Sequence, residues 1–141
     1  MPQEVVAQIM SWIFPYDVWQ FRKLSKSFNE LISSSRFAAL NLNRFAPIPD
    51  YSVDFSWAPT CWDMLSFHSP VSYQSEYARK NLTHFIKLIW LREIRAEVEI
   101  PASWFPHLTN LERLEWDECS LVGPIPEEIG SLQVFSNLIC H

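Results

Sequence analysis

The chain has 141 residues, a common size for one domain, so we expect one compact unit or two small ones that share a core. Hydrophobic residues make up 48% and charged residues 19%, which indicates a globular protein and excludes a disordered tail. The net charge is −5, and acidic residues are concentrated between residues 92 and 128. This acidic stretch would repel a phosphate backbone, so we expect no nucleic-acid partner.

The N-terminus and the cysteines indicate an intracellular protein. The chain does not start with a basic segment and a long apolar run, so we predict neither a signal peptide nor a membrane span. Cys61, Cys119 and Cys140 are widely separated and have no CxxC spacing, which favours neither a disulfide framework nor a zinc site. His68 and His84 lie apart from any such cluster. We expect a cytoplasmic or nuclear location and no metal or cofactor.

Residues 1–45 have the apolar spacing of several short helices. Pro2 suits a first helical turn, and the apolar residues that follow predict a helix running to about Ile13. Pro15 breaks that helix, and the turn around Asp17 starts a second one. The first helix is apolar over roughly 160°, whereas one buried face needs about 100°. Part of this surface therefore requires a second neighbour.

A third helix is predicted after Ser25 or Ser27, either of which can serve as its cap. The serine run at residues 33–35 then separates it from a fourth helix. A helical unit of this size is near the lower limit for folding alone without a metal or a disulfide. A binding partner or the rest of the chain must therefore cover its apolar surface.

The residues of this region follow one another in a specific order, and the telling ones are Pro2, Glu4, Val5, Ile9, Met10, Ile13, Asp17, Val18, Phe21, Leu24, Ser25, Lys26, Phe28, Leu31 and Ile32. Their order, and residues 24–28 above all, resembles the F-box, a helical module of substrate receptors in SCF-type ubiquitin ligases. The resemblance implies that the apolar helix surface in need of a neighbour binds a Skp-type linker subunit. It also implies that catalysis is performed by other subunits. The implied contact residues are Met1, Pro2, Val5, Val6, Ile9, Ile13, Val18, Trp19, Phe21, Leu24, Phe28 and Leu31.

Residues 46–81 predict a folded connector with short helices. Prolines are frequent there, but so are large apolar side chains, which are too numerous for a solvated tether. We expect a short helix after Pro59 and another between Tyr73 and His84.

Apolar and turn residues recur at regular spacing within residues 82–141, most clearly Leu108, Leu111, Leu114, Trp116, Cys119, Leu121, Gly123, Ile125, Pro126, Ile129 and Leu132. This pattern resembles a leucine-rich repeat of the type common in plant receptors. A looser copy precedes this repeat, in which Ile86, Ile89, Leu91 and Ile94 resemble the strand and bend positions, and a third copy begins at Leu132. Because each repeat buries its apolar edge on the next, we expect a truncated or decayed array.

Outward positions on the predicted strand are where this repeat family holds its ligands. They are occupied by Arg113, Glu115, Asp117 and Glu118, a set that would recruit a basic segment of a target protein or serve as ordinary solvated surface.

The sequence thus predicts an α+β fold: an F-box helical cluster at residues 1–45, the connector at 46–81, and a short, incomplete leucine-rich-repeat solenoid with a small parallel sheet at 82–141. It has no Gly-rich phosphate loop, no HExxH and no GxSxG motif, which disfavours an enzyme. We predict a non-catalytic adaptor that binds a Skp-type linker subunit and an unidentified target protein. The alternative is a repeat interaction module or decayed fragment with no ligase partner.

Overall fold

The computed structural model describes residues 2–91, 98–99, 101–117, 121–122 and 137–140. Within these ranges the helices are α1 (Gln3–Met10), α2 (Pro15–Val18), α3 (Lys26–Ile32), α4 (Ser35–Phe45), α5 (Cys61–Phe67) and α6 (Val71–Asn81). The strands are β1 (Phe55–Ser56), β2 (Lys87–Leu91), β3 (Val98–Glu99), β4 (Arg113–Asp117), β5 (Leu121–Val122) and β6 (Asn137–Cys140). Short 3-10 segments lie at Trp19–Lys23 and Ala102–His107.

Proline and serine residues set the starts of the first helices. Pro15 is the first residue of α2, where its missing N–H costs nothing. Ser25 caps α3, which confirms one of the two predicted caps: its side-chain oxygen accepts a hydrogen bond from the N–H of Phe28 at 3.1 Å. The second predicted helix is only partly α-helical, since α2 continues as the 3-10 segment Trp19–Lys23.

A buried asparagine on α4 explains why α1 ends at Met10, before the predicted end at Ile13. The side-chain amide of Asn41 donates to the backbone oxygens of Ser11 at 2.8 Å and Ile13 at 2.9 Å. Its carbonyl oxygen accepts a hydrogen bond from the Tyr73 hydroxyl on α6 at 2.7 Å. Because Asn41 gives these backbone oxygens a partner, the chain can turn there instead of continuing the helix.

The strands form parallel ladders. One sheet has the order β1-β2-β4-β6, and its neighbouring strands are parallel. Lys87 lies opposite Arg113, 26 positions along the chain, and Arg113 lies opposite Asn137, 24 positions along. β3 and β5 form a second, shorter parallel pair. The predicted combination of an N-terminal helical region with a small parallel sheet is confirmed.

The predicted register of β2 is wrong by one residue. Leu88 lies opposite Leu114, and Trp90 lies opposite Trp116, whereas Ile89 and Leu91 were expected at these positions. Leu88 and Trp90 are fully buried. Every residue from Leu88 to Leu91 is apolar, so the hydrophobic pattern does not show which side of the strand faces the core.

One hydrophobic core runs through the helices and the sheet. It extends along the chain from Met10 to Leu114, with α4 packed on α6 and α6 packed on Ala102–His107. The Trp90 and Trp104 rings meet edge to face with 6.1 Å between their centroids. The segments predicted at 1–45, 46–81 and 82–141 share this core, and their boundaries stay predictions.

Candidate interaction surfaces

An apolar groove lies between α1, the 3-10 segment at Trp19–Lys23 and the start of α3. It has a volume of about 400 Å³, and its lining residues are Val6, Ile9, Met10, Ile13, Phe21, Leu24 and Phe28. α1 provides one wall because its apolar residues recur three and four positions apart and so share a face. All the described residues that line the groove are apolar, which suits an apolar partner surface.

Several groove side chains are unusually exposed for their type. Leu24 is 65% exposed and Ile9 is 56% exposed. Burial of one such aliphatic side chain stabilises a complex or a fold by about 1.5–3 kcal/mol. The groove therefore offers a partner a substantial apolar contribution to binding, and exposed patches of this kind mark interaction sites.

Most of the predicted linker-contact residues are accessible. The exposed ones are Pro2, Val5, Ile9 and Leu24. The partly exposed ones are Val6, Ile13, Phe21, Phe28 and Leu31. Met1 lies outside the described residues. Met10, which was not among the predicted contacts, forms the buried floor of the groove.

Val18 and Trp19 differ from the other predicted contacts because they lie in the core of the chain, and their contact with a partner stays a prediction. Val18 is fully buried, and the Trp19 ring stands edge-on to Tyr73 with 5.2 Å between the centroids. Trp19 is among the contacts that the F-box resemblance implies. The 3-10 segment begins at this residue and turns its side chain towards α6.

The charged residues near the groove are mostly solvated. Lys23 and Lys26 flank Leu24 in the sequence and are exposed. The amine of Lys26 lies 3.9 Å from a carboxylate oxygen of Glu30, and because both side chains are well exposed this pair contributes little to stability. A partner with acidic residues around an apolar centre would complement this basic rim.

The predicted target-binding strand is mixed in charge where it is described. On β4 a guanidinium nitrogen of Arg113 lies 2.5 Å from a carboxylate oxygen of Glu115. Lys87, the register partner of Arg113, is exposed on the neighbouring strand. The backbone of Asp117 ends β4, and Glu118 lies outside the described residues. The described part of this face therefore carries cations as well as a carboxylate.

Sequence reasoning missed a second exposed apolar region, in the connector. Phe55 and Trp57 were expected to be part of a folded segment, but they are 40% and 59% exposed, and their ring centroids are 5.3 Å apart. Apolar and polar residues alternate from Pro49 to Trp57, and this alternation is the signal that would have indicated an edge strand.

In the part of the chain that the structure describes, no group of three or more His, Cys, Asp and Glu side chains is placed to hold a metal ion. None of the helices in those ranges has the length and apolar character needed to cross a bilayer.

Comparison with known families assigns the helical region. Residues 1–39 match the model of the F-box domain, and the groove described above lies entirely within them. No curated protein and no solved structure shows significant similarity to the chain. Domains of this kind typically bind Skp-type subunits, and the proteins that contain them generally serve as adaptors of SCF-type ubiquitin ligases. The N-terminal helical region of this chain, residues 1–39, is thus supported as an F-box domain.

Proposed function

We propose that this protein is a non-catalytic adaptor of an SCF-type ubiquitin ligase that holds a target protein near the catalytic subunits. The observation that carries the proposal is the exposed apolar groove within residues 1–39, the range that matches the F-box domain. Holding two reactants together raises their effective concentration, so an adaptor needs no chemistry of its own. Such a role implies an intracellular protein, in the cytoplasm or the nucleus.

In this proposal the linker subunit covers the groove and the adjoining face of α1. Leu24 and Ile9 are the central contacts because they combine an apolar side chain with high exposure. A neighbouring depression of about 360 Å³ between α1 and α3, lined in part by Phe28 and Leu31, extends the surface. Val18 and Trp19, which are buried in the single chain, support the groove from the core.

We further propose that the C-terminal strands belong to leucine-rich repeats. Two features support this: the strands of the larger sheet are parallel, and their register advances by 26 positions from β2 to β4 and by 24 from β4 to β6. These steps fall within the roughly 20–29 residues of one such repeat. The target would bind on the outward face of the strands, where Arg113, Glu115, Asp117 and Glu118 were predicted to act.

Co-purification with a Skp-type subunit tests the docking role. We expect the full chain to form a stable complex with this subunit on co-expression. The variants Leu24→Asp and Ile9→Asp should lose about a hundredfold in affinity, because each places a charge in an apolar contact. Val71→Asp is the matched control: Val71 is also a highly exposed aliphatic residue, but it lies at the start of α6, where an acidic residue is tolerated.

The outcome separates the two functions that the sequence left open. If the intact, folded chain does not bind the linker subunit, the adaptor role is refuted, and an interaction module without a ligase partner is the better description. If Val71→Asp weakens the complex as much as Leu24→Asp does, the groove is not the docking surface.

A further inference from the structure

The segment at residues 48–57, here called the edge segment, has the pattern of a strand but exposes its apolar side. Apolar residues occupy its odd positions from 49 to 57, and aspartates and serines occupy the even positions from 50 to 56. Such alternation normally reflects one covered and one solvated face. Tyr51, Val53, Phe55 and Trp57 nevertheless remain 38–64% exposed. Within the segment only Phe55–Ser56 is a strand, and a hydrogen bond of 3.2 Å from the N–H of Val53 to the backbone oxygen of Asp50 closes a turn before it. The strand therefore leaves Phe55, and Trp57 just after it, as exposed apolar side chains.

The edge segment also has an open backbone edge. β1 lies at the end of the larger sheet and pairs with β2 on one side. The backbone oxygen of Asp54 accepts a hydrogen bond from the N–H of Ile86 at 2.6 Å, so the peptide groups of Asp54 face β2. Because these groups alternate in direction along a strand, those of Phe55 point away from β2. An outer strand of this kind can pair with an added strand.

A cleft of about 310 Å³ lies beside the edge segment. Ile48, Val53 and Phe55 form part of one side, and Asp63 and Tyr77 from α5 and α6 line it as well. The Asp63 carboxylate accepts hydrogen bonds from the Tyr77 hydroxyl at 2.5 Å and from the N–H of Thr60 at 2.8 Å. Both Asp63 oxygens thus have donors from the chain itself, and the volume of the cleft offers room for a side chain of a strand that adds to β1.

The charges around the cleft favour a basic partner. Among the described residues no lysine or arginine lines it, and the nearest cation in the ladder is the exposed Lys87, opposite Phe55 on β2. Hydrogen bonds from the hydroxyl and the N–H of Ser52 lower the pKa of Asp50, so this lining carboxylate is ionised at neutral pH. Burial lowers the pKa of His84, which keeps that ring neutral. The Asp54 side chain is exposed, and it has no ion pair or hydrogen bond with any described residue.

A second copy of this chain fits the edge segment less well. Pairing of two β1 strands about a twofold axis would bring the two Asp54 carboxylates close together. Like charges on neighbouring strands are destabilising, whereas Lys or Arg side chains would pair with the carboxylates and stack on Tyr51 and Trp57.

We propose that the edge segment binds an extended, basic segment of a partner protein, which adds as a strand beside β1 and places a Lys or Arg side chain in the adjacent cleft. This surface shares no residue with the groove and does not depend on linker-subunit binding. In an adaptor, it would supply a contact for the target protein.

Short synthetic peptides test the inference. One alternates Arg with Val, a second has Glu in place of each Arg, and a third is the Arg peptide with alternate peptide nitrogens methylated. We expect the full chain to bind the Arg peptide in fluorescence anisotropy. The Glu peptide should bind at least about tenfold more weakly because charge pairing is lost, and the methylated peptide should do so because strand pairing is lost. Equal binding of the Arg and Glu peptides, or undiminished binding of the methylated one, would overturn the proposal.

Variants locate the binding. We expect Asp54→Lys and Trp57→Ala each to weaken the Arg peptide by about five- to tenfold, through loss of a charge pair or of a cation–π contact. Glu30→Lys, an exposed charge reversal on α3, is the matched control and should leave the affinity unchanged. If Glu30→Lys weakens binding as much as Asp54→Lys does, the attraction is non-specific. A dimer of the parent chain that Trp57→Ala dissociates would identify a second copy as the occupant and overturn the proposal.

The linker-binding experiment stays distinguishable from this one. Leu24→Asp should weaken binding of the Skp-type subunit and leave the affinity for the Arg peptide intact. Trp57→Ala should weaken binding of the Arg peptide and leave the affinity for the Skp-type subunit intact.

Discussion

Replacement of Asn41 by alanine should be among the most destabilising single changes in the chain. Asn41 is fully buried and joins three parts of the fold, since it donates to Ser11 and Ile13 after α1 and accepts from Tyr73 on α6. Asn41→Ala removes these hydrogen bonds and leaves the partner groups in place. A buried polar group that loses its partner costs about 1–3 kcal/mol.

The burial of the partners sets the expected magnitude. Ser11 and Tyr73 are buried, so water cannot readily replace Asn41 at either group, whereas Ile13 is partly exposed and its oxygen can be hydrated. Two buried polar groups that each lose their hydrogen-bond partner, at about 1.5–2 kcal/mol each, give a loss of about 3–4 kcal/mol in the free energy of unfolding. For a chain of this size the melting temperature would fall by roughly 10 °C.

Urea and thermal unfolding, followed by circular dichroism, measure this loss. Asn43→Ala is the matched control on the same helix: Asn43 is exposed, and its hydrogen bond with Lys80 is on the surface, so the cost should stay below about 0.5 kcal/mol. Tyr73→Phe should cost about 1–2 kcal/mol, and its effect should be smaller in the Asn41→Ala background because the two residues share a hydrogen bond. If Asn41→Ala costs no more than Asn43→Ala does, the reasoning from buried partners is refuted.

Two further predictions concern a helix cap and pH. Ser25→Ala should lower the free energy of unfolding by about 1 kcal/mol, because the N–H of Phe28 loses its partner. The control Ser27→Ala should change it by less than about 0.5 kcal/mol. Equal effects of the two substitutions would show that the Ser25 cap does not stabilise α3. Burial raises the pKa of Asp63 above 3.8 despite its hydrogen bond from Tyr77, so in the pH range between the unfolded and folded pKa values the folded state binds more protons. Asp63 therefore makes the free energy of unfolding fall as pH rises from about 4 through the folded pKa. Asp63→Asn should remove this contribution, which unfolding experiments at a series of pH values measure. If the free energy of unfolding depends on pH in the same way in the variant and the parent chain, this prediction is contradicted.

Local chemistry made much of the helical region predictable. A proline at the first helical position, a serine three residues before an N–H that it can bind, and apolar residues at helical spacing are all visible within a few residues of one another. Ser25, one of the two predicted caps, therefore marks its helix start correctly, whereas α2 begins at Pro15, two residues before Asp17, where its start was predicted. The same residues carry the F-box resemblance, so the groove was largely predictable as well.

Long-range contacts set the features that were not predictable. α1 ends early because Asn41 binds the backbone beyond it. The Trp19 ring turns inward and packs against Tyr73. Asn41 and Tyr73 both lie far along the chain, so the sequence near α1 and Trp19 does not indicate them. The register of β2 failed for a different reason. A strand that is apolar on both sides from Leu88 to Leu91 satisfies two registers equally in sequence, and only its pairing with β4 selects one.

The folded connector determines how far apart the groove and the sheet of the proposed adaptor lie. An adaptor joined by a flexible tether would let the target sample many distances from the ligase, which lowers its effective concentration at the catalytic subunits. Here α6 is tied to α4 by the hydrogen bond between Tyr73 and Asn41, and to Ala102–His107 by a contact of 2.8 Å between the Ser75 hydroxyl and the His107 ring. The core continues from these helices into β2 and β4. The spacing between the groove and the sheet is therefore set by packed side chains, so a linker subunit in the groove and a target on the sheet would be held at a defined separation.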